Sequence, residues 1–201
     1  MSAISRFPVT TSDDLPDDIR EVIETNAKKL GFVPNVFWAY AWKPEHFRAF
    51  FQFYDALMKG PSGLTRAERE MIVLAVSAIN ACTYCTVSHG AALRVLAKHP
   101  HLADQVSANY RMAEITPRQR VMLDFAAKVT RESAAIDAAD LARLREHGFS
   151  DSDVWDIGAV AAFFNLSNRM ANLADMRPNA ELYAMGRDLP VPDTMPPKAA
   201  R

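Results

Sequence analysis

Three residues of one short segment have the types and spacing that thiol redox chemistry needs: Cys82, Cys85 and His89. A helical pattern ends at residues 79–81 and another begins at about Thr83, so Cys82 falls at or beside a helix N-terminus, where the helix dipole favours a thiolate. Residues three apart in a first turn lie within disulfide range, and residues four apart share a helix face with Cβ atoms roughly 5–6 Å apart. The segment therefore supplies a nucleophile, a resolving thiol and a base.

One reaction that such a thiol pair can carry out is the reduction of a hydroperoxide, which also requires a proton for the departing alkoxide. Lowering a thiol pKa from about 8.5 to about 6.5 increases the thiolate fraction at neutral pH about 25-fold. The less basic thiolate is roughly 6- to 10-fold less nucleophilic, so the net gain in rate is only a few-fold. A general acid is therefore needed as well. His89 is the nearest candidate, and Glu70 is the carboxylate that would orient it. Glu70 lies about 18 Å from Cys82 along a continuous helix, whereas a chain reversal near Ala81 would bring it level with His89. We therefore expect a Glu70–His89–Cys85 relay.

The elements that must position these residues are helices. The chain has only 7 glycines in 201 residues, and its apolar residues recur at three- and four-residue spacing. Helix boundary signals are frequent, and the pattern predicts an all-α fold of eight to ten helices without a defensible strand. We predict helices from Pro16 to Gly31, from Pro44 to about Gly60 and from about Thr83 to Lys98. Three more helices are predicted to start at capping pairs: Thr65 with Glu68, Thr116-Pro117 with Gln119, and Ser150 with Asp153.

The domain organisation follows from the same patterns. Residues 16–188 are expected to form a single all-helical domain, with residues 100–117 as a short connection inside one core. Thr65–Asn80 and Ser150–Asn165 each begin with a capping residue and end with Asn, a weak match that raises the question of a duplicated helix pair. Residues 1–15 lack periodicity and residues 189–201 carry four prolines, so both are predicted to be extended arms.

Composition excludes several classes of protein. Lys and Arg total 23 against 24 Asp and Glu, with no basic block, so no nucleic-acid partner is expected. The first thirty residues contain no apolar signal segment, and no later run reaches the roughly 20 apolar residues of a membrane span. The two cysteines cannot form the disulfide framework of a small secreted fold. We therefore expect a cytoplasmic protein that does not bind membranes.

Glu70, Cys82-Thr83-Tyr84-Cys85 and His89 together resemble the core motif of the alkylhydroperoxidase D and carboxymuconolactone decarboxylase superfamily. The stretch from Gly31-Phe32-Val33-Pro34-Asn35 to Asn168-Arg169 is similar to the peroxidase-related branch, over about four-fifths of the chain. The resemblance implies an all-helical AhpD-like fold and homo-oligomers. It also implies Cys85 as the peroxidatic thiol, Cys82 as the resolving thiol, and Glu70 with His89 as the proton relay. One departure is Tyr84, which stands where the best-described members have His and which cannot relay protons near neutral pH.

The cysteine pair also has simpler interpretations. It can be a pair of small core residues, or part of a zinc site, although one Cys-x-x-Cys and one His supply three ligands where a structural site wants four. His99 and His101 are potential further ligands, but beside Pro100 they are better explained as solvated residues at a helix end. His46 and His147 are expected at the surface. We therefore expect no metal and no cofactor.

The sequence leads to three hypotheses about function. The first is a peroxidase that reduces organic hydroperoxides through a sulfenic acid on Cys85 and a Cys82–Cys85 disulfide, with an unidentified dithiol as electron donor. The second is a lactone decarboxylase or related isomerase, which needs no cysteine pair. The third is a non-enzymatic redox sensor. Ten of the nineteen aromatic residues fall between Phe32 and Tyr54, which indicates a core and a subunit interface, or alternatively an apolar wall over the thiols.

Overall fold

The computed structural model describes residues 4–10 and 12–190 of the chain. In these ranges all the regular secondary structure is helical and there is no strand, which confirms the predicted all-α class. The α-helices are α1 (Asp17–Leu30), α2 (Asn35–Ala41), α3 (Pro44–Lys59), α4 (Arg66–Ile79), α5 (Thr83–Ala97), α6 (Leu102–Asn109), α7 (Pro117–Glu132), α8 (Ala138–Glu146), α9 (Asp151–Ala174) and α10 (Ala180–Ala184). Short 3₁₀ helices span Ser12–Asp14, Tyr110–Met112 and Ser133–Ala135.

Capping side chains begin the helices at the predicted places. Thr65, Thr116 and Ser150 each accept the backbone N–H three residues on, and the side chain at that position bonds back to the cap, completing three capping boxes. Gly31 ends α1 in the left-handed conformation, with φ of 81°. These features confirm the predicted starts of α4, α7 and α9 and the predicted end of α1, because each satisfies backbone groups that a helix end leaves free.

The centre of the protein is α4, which packs against α5, α6, α7 and α9. Ten consecutive residues of this helix, Glu68 to Ser77, are buried, so α4 is surrounded on all sides. Helix α6 lies in the connection predicted at residues 100–117 and buries Leu102, Ala103 and Val106 in the same apolar cluster. A helix buried on every face cannot move independently of its neighbours, which makes α4 a rigid support for any side chain that it carries.

The two segments with the weak internal match lie side by side. Gly63, just before α4, lies against the carboxylate of Asp153 in the first turn of α9, so that a Cβ at position 63 would clash. At the other end, the Asn80 amide donates to Oδ1 of Asn165 at 2.9 Å. Helices α4 and α9 therefore run parallel, and the asparagines that end the two matched segments hydrogen-bond each other. They differ in length, because α9 continues to Ala174.

The described part of the N-terminal arm packs on the end of α9. The Arg6 N–H donates to the Ala174 carbonyl at 2.8 Å, and the Arg177 N–H donates to the Ile4 carbonyl at 3.1 Å. Leu15 is buried with Phe37 and Phe47. Most of the predicted C-terminal arm, residues 191–201, lies outside the described residues. Within the described ranges, no helix has the length and apolar character needed to cross a membrane.

Candidate active site

A tight turn between α4 and α5 places the first cysteine. Ala81 adopts a left-handed conformation, with φ of 51°, where glycine is usual. The Cys82 N–H donates to the Ser77 carbonyl at 2.9 Å and the Ala81 N–H to the Ala78 carbonyl at 3.1 Å, which is the Schellman pattern that closes a helix. Cys82 then serves as the N-cap of α5, which confirms its predicted position at a helix N-terminus. The predicted reversal at Ala81 is confirmed.

The two thiols are buried and interact with each other. Cys82 and Cys85 expose 1% and 2% of their surface, and the Cys85 N–H donates to the Cys82 sulfur at 3.5 Å. Hydrogen bonds from the Cys85 thiol, the Cys85 N–H and the Asn168 amide outweigh burial and lower the pKa of Cys82 to about 7. Donation to Cys82, together with burial, raises the pKa of Cys85 well above its usual range. Cys82 is therefore the more acidic thiol of the pair, and Cys85 keeps its proton to higher pH.

Glu70 and His89 form a direct pair across α4 and α5. The distance from His89 Nδ1 to Glu70 Oε2 is 2.7 Å, and only 14% and 8% of the two side chains are exposed. An ionised carboxylate only accepts hydrogen bonds, so Nδ1 carries a proton and Nε2 is the atom left for proton transfer. The edge of the Phe164 ring meets the imidazole with centroids 4.7 Å apart, which restricts its orientation. No hydrogen bond among the described residues joins His89 to either sulfur.

A polar network from α9 reaches the thiols on their other side. Asn168 is fully buried, accepts from the Asn80 amide at 3.0 Å and donates to the Ser77 hydroxyl at 3.0 Å. Asn168 also lowers the pKa of both thiols, because its amide can donate a hydrogen bond to a negative sulfur. The Ser167 hydroxyl lies 4.0 Å from the Cys85 sulfur. The network therefore stabilises a negative sulfur without supplying a charge.

Apolar and aromatic side chains of α2 cover the cysteines. Tyr40 and Val36 pack against the buried cluster that contains both thiols and Tyr84. The Tyr40 hydroxyl is buried and has no hydrogen-bond partner among the described residues. Its pKa is raised by burial and further by the nearby thiols. A buried hydroxyl without a partner costs about 1–3 kcal/mol, so this group is available to a ligand oxygen at the thiol site.

The segment that carries the thiols is similar to a known protein family. Residues 44–101, which include Glu70, both cysteines and His89, match the carboxymuconolactone decarboxylase family. An uncharacterized peroxidase-related protein from Ralstonia eutropha JMP134, described as an alkylhydroperoxidase AhpD core, is 56% identical, with a TM-score of 0.93 over 94% of this chain and 100% of its own. The chain belongs to the alkylhydroperoxidase D-like and carboxymuconolactone decarboxylase superfamily, in its peroxidase-related branch.

Other solved structures agree with this membership. An uncharacterized peroxidase-related protein from Silicibacter sp. TM1040 is 48% identical, with a TM-score of 0.89 over 92% of this chain and 97% of that one. The debrominase Bmp8 is 18% identical, with a TM-score of 0.73 over 92% of this chain and 96% of its own, a likeness that extends to the fold alone. No curated protein matches the sequence. The family therefore supports a hydroperoxide-related role.

Tyr84, between the two cysteines, has a structural contact of its own. Its hydroxyl accepts the Val36 N–H in the first turn of α2 at 3.1 Å, and burial raises its pKa. Tyr84 is therefore neutral and fastens α2 to the cysteine turn. This contact keeps Tyr40, on the same helix, over the thiols.

Three residues near the thiols were not among the residues predicted from the sequence: Asn168, Ser167 and Tyr40. Asn165, Asn168 and Asn172 bond α9 to the end of α4 through Asn80. Their spacing of three and four residues was the available signal for one polar helix face. Within residues 4–10 and 12–190, no group of three or more His, Cys, Asp or Glu side chains is placed to hold a metal ion.

Proposed function

We propose that this protein is a thiol-dependent peroxidase that reduces organic hydroperoxides through the Cys82–Cys85 pair. The observation that carries the proposal is that two buried thiols in contact, one with a lowered pKa, lie on the same helix as a histidine held by a buried carboxylate. Oxidation of sulfur needs a nucleophilic thiolate, and cleavage of the O–O bond needs an acid, so this arrangement supplies both requirements. The other side of the site offers the free Tyr40 hydroxyl for a substrate oxygen.

In the first step the Cys85 sulfur attacks the terminal peroxide oxygen. The S–O bond forms as the O–O bond breaks, and the Cys85 proton passes to the Cys82 thiolate. The departing alkoxide takes a proton from protonated His89 and leaves as an alcohol. Cys85 is then a sulfenic acid, and Glu70 offsets the positive charge that His89 carries before the transfer.

In the second step the Cys82 thiol attacks the Cys85 sulfenic acid. The S–S bond forms, the S–O bond breaks, and the leaving hydroxide takes the Cys82 proton to become water. Residues three apart at a helix start have the spacing that a disulfide requires. An external dithiol then reduces the disulfide by thiol–disulfide exchange, which returns both thiols for another turnover.

The test is consumption of cumene hydroperoxide with excess dithiothreitol, measured for the wild type, Cys85→Ser and Cys82→Ser. We expect sustained turnover in the wild type only. In a separate reaction with the hydroperoxide and no dithiothreitol, Cys82→Ser should accumulate a sulfenic acid that dimedone traps, whereas Cys85→Ser should not. Because the chain has only two cysteines, every thiol signal comes from this pair.

Each other outcome assigns a different role. Sulfenic acid in Cys85→Ser but not in Cys82→Ser would make Cys82 the peroxidatic thiol and Cys85 the resolving thiol. The lowered pKa of Cys82 is compatible with that assignment. A disulfide that forms once, without turnover in excess dithiol, would indicate a redox sensor. Full turnover in both single variants would refute a peroxidase that uses the cysteine pair.

A further inference from the structure

Four aromatic rings from three helices form a wall beside the reacting groups. Tyr40 of α2 packs against the cluster that contains the thiols, and its ring centroid is 4.4 Å from that of Phe50 on α3. Phe50 in turn is 4.8 Å from Phe163 of α9. Tyr54 of α3 is 6.4 Å from Phe163 and 6.4 Å from the imidazole of His89. The aromatic wall, defined as Tyr40, Phe50, Tyr54 and Phe163, therefore extends from the thiols to the histidine.

The spacing along two helices places this wall opposite the reacting groups. Cys85 and His89 are four residues apart on α5, and the same spacing separates Phe50 from Tyr54 on α3. Each pair therefore shares a helix face and spans about 6 Å along the helix axis. Phe50 meets Tyr40 at the thiol end, and Tyr54 meets His89 at the other end. Helix α3 packs mainly on α2, α4 and α9, so side chains and not helix backbones occupy the space between α3 and α5.

The reaction fixes the direction in which the organic group of a hydroperoxide must point. Its terminal oxygen has to reach the Cys85 sulfur, and its second oxygen has to reach His89 Nε2. Around the imidazole, the Glu70 carboxylate holds Nδ1 and the edge of Phe164 is 4.7 Å away, so the α4 and α9 sides are filled. The Tyr54 ring on the α3 side stands farther off, at 6.4 Å. The organic group therefore points from the O–O bond toward α3.

We propose that the aromatic wall binds the organic group and selects hydroperoxides that carry an aromatic ring. The inference rests on the proposed peroxidase function and adds a substrate class to it. Aromatic rings with centroids roughly 4.5–7 Å apart favour association by about 2- to 12-fold per pair, beyond the burial of apolar area. Phe50 is the residue that determines this specificity, because it lies between Tyr40 and Phe163 and contacts both.

A second layer of rings holds the wall in place. Phe51 packs on Phe50, with centroids 5.2 Å apart, and on Tyr40 at 6.3 Å. Phe51 itself packs on the buried rings of Phe37 at 4.6 Å and Phe47 at 4.5 Å. Rings that are packed in this way keep one orientation, so the wall is formed before a ligand arrives and little ordering is needed on binding. A fixed wall discriminates between ligands by their shape.

A matched pair of substrates tests the specificity. Cumene hydroperoxide and tert-butyl hydroperoxide share the tertiary carbon and the O–O bond, and differ only in a phenyl group that replaces a methyl group. With excess dithiothreitol, the wild type should prefer cumene hydroperoxide by about 10- to 100-fold in kcat/KM.

Phe50→Leu should reduce this preference by about 3- to 10-fold, because an apolar side chain remains but the ring contact is lost. Comparing the ratio between proteins cancels the difference in intrinsic reactivity of the two hydroperoxides. Phe53→Leu is the matched control, since Phe53 is a phenylalanine of the same helix, is 51% exposed and lies outside the wall, and it should keep the wild-type ratio. Circular dichroism should show that both variants are folded.

Protection of the thiols tests binding without turnover, on the unmutated protein and without peroxide. The alcohol 2-phenylpropan-2-ol should slow alkylation of the cysteines by iodoacetamide, because it occupies the wall beside them. At the same concentration 2-cyclohexylpropan-2-ol, whose ring has the same number of carbons but is saturated and puckered, should protect at least about 3-fold less well.

The outcomes separate this inference from the proposed function. Equal protection by the two alcohols would overturn the aromatic specificity, and so would turnover of both hydroperoxides with a ratio that Phe50→Leu leaves unchanged. In the second case the peroxidase would stand. Selective protection by the phenyl alcohol in a protein that turns over neither hydroperoxide would support the aromatic site and refute the peroxidase.

Discussion

Replacing Cys85 with alanine should raise the pKa of the Cys82 thiol. The hydrogen bond from the Cys85 thiol is the largest of the effects that lower it from 9.0 to about 7, and burial acts in the opposite direction. The alanine variant keeps the backbone N–H at position 85 and the Asn168 amide but loses the thiol donor. Cys82 should therefore become a weaker acid, while the helix and its cap remain in place.

The size of the effect depends on pH. At pH 7 a thiol of pKa about 7 is about half ionised, whereas one at the ordinary 9.0 is about 1% ionised, a difference of about 50-fold. The more basic thiolate is about 6- to 10-fold more nucleophilic, so the net loss of reactivity in the variant is about 5- to 8-fold. Above pH 9, Cys82 is largely ionised in both proteins. It should then react faster in the variant, because its thiolate is more basic there. The pH–rate curves of the two proteins should therefore cross.

The assay combines the ultraviolet absorbance of the thiolate with the rate of iodoacetamide alkylation across this pH range. Cys82→Ala is the matched control, because removing the Cys82 sulfur should lower the pKa of Cys85, which that neighbour raises. A Cys82 titration midpoint that stays near 7 in Cys85→Ala would refute the hydrogen bond from the Cys85 thiol as the main cause of the low pKa of Cys82. Parallel rather than crossing pH–rate curves would lead to the same conclusion.

Three further predictions concern the residues around the thiols. His89→Ala should lose peroxidase activity by about 10²–10⁴-fold, Glu70→Gln should lose part of it, and the two losses should not add, with His46→Ala as an exposed control. Equal turnover in all three variants would show that the Glu70–His89 pair is structural. Tyr40→Phe should raise the thermal unfolding midpoint, because it removes a buried hydroxyl without a partner. The same variant should have a lower kcat/KM for the hydroperoxide. An unchanged kcat/KM would exclude contact between the Tyr40 hydroxyl and the substrate. Because folding lowers the pKa of Cys82, its stabilising effect is complete above the ordinary value of 9.0 and is lost as the pH falls through about 7. Calorimetry should therefore show the unfolding midpoint of the wild type rising relative to Cys82→Ala between these values, and a constant difference would contradict the shift.

Local signals explain how much of the fold was accessible from the sequence. Capping boxes at Thr65, Thr116 and Ser150 depend on side chains three residues apart, so a linear sequence contains them in full. The same is true of the cysteine turn, where the end of one helical pattern and the start of the next place Cys82 at a helix N-terminus. The pairing of Glu70 with His89 required only one chain reversal between two helices.

Features that depend on distant segments were less accessible. The protonation of the thiols depends on Asn168 and Ser167, more than eighty residues away, and on a hydrogen bond between the sulfurs that spacing alone does not orient. The same holds for the aromatic side chains. The sequence suggested a core and a subunit interface, or an apolar wall over the thiols; Phe37 and Phe47 are buried in a core cluster, and Tyr40 packs against the cluster that contains the thiols. A helical pattern shows that a face is apolar, and packing decides which face remains free.

Tyr84 shows why a motif residue must be placed before a role is assigned to it. At the position between the cysteines, a histidine could take part in proton transfer, whereas this tyrosine is neutral and accepts the Val36 N–H. Within the motif, His89 is then the group left to supply the alkoxide with a proton, and its link to Glu70 becomes correspondingly more important. In exchange, α2 is fastened over the thiols with the unpartnered Tyr40 hydroxyl beside them. Tyr84 thus carries no proton itself and fastens the helix that bears the Tyr40 hydroxyl, so it should act on substrate binding more than on the acidity of the sulfurs.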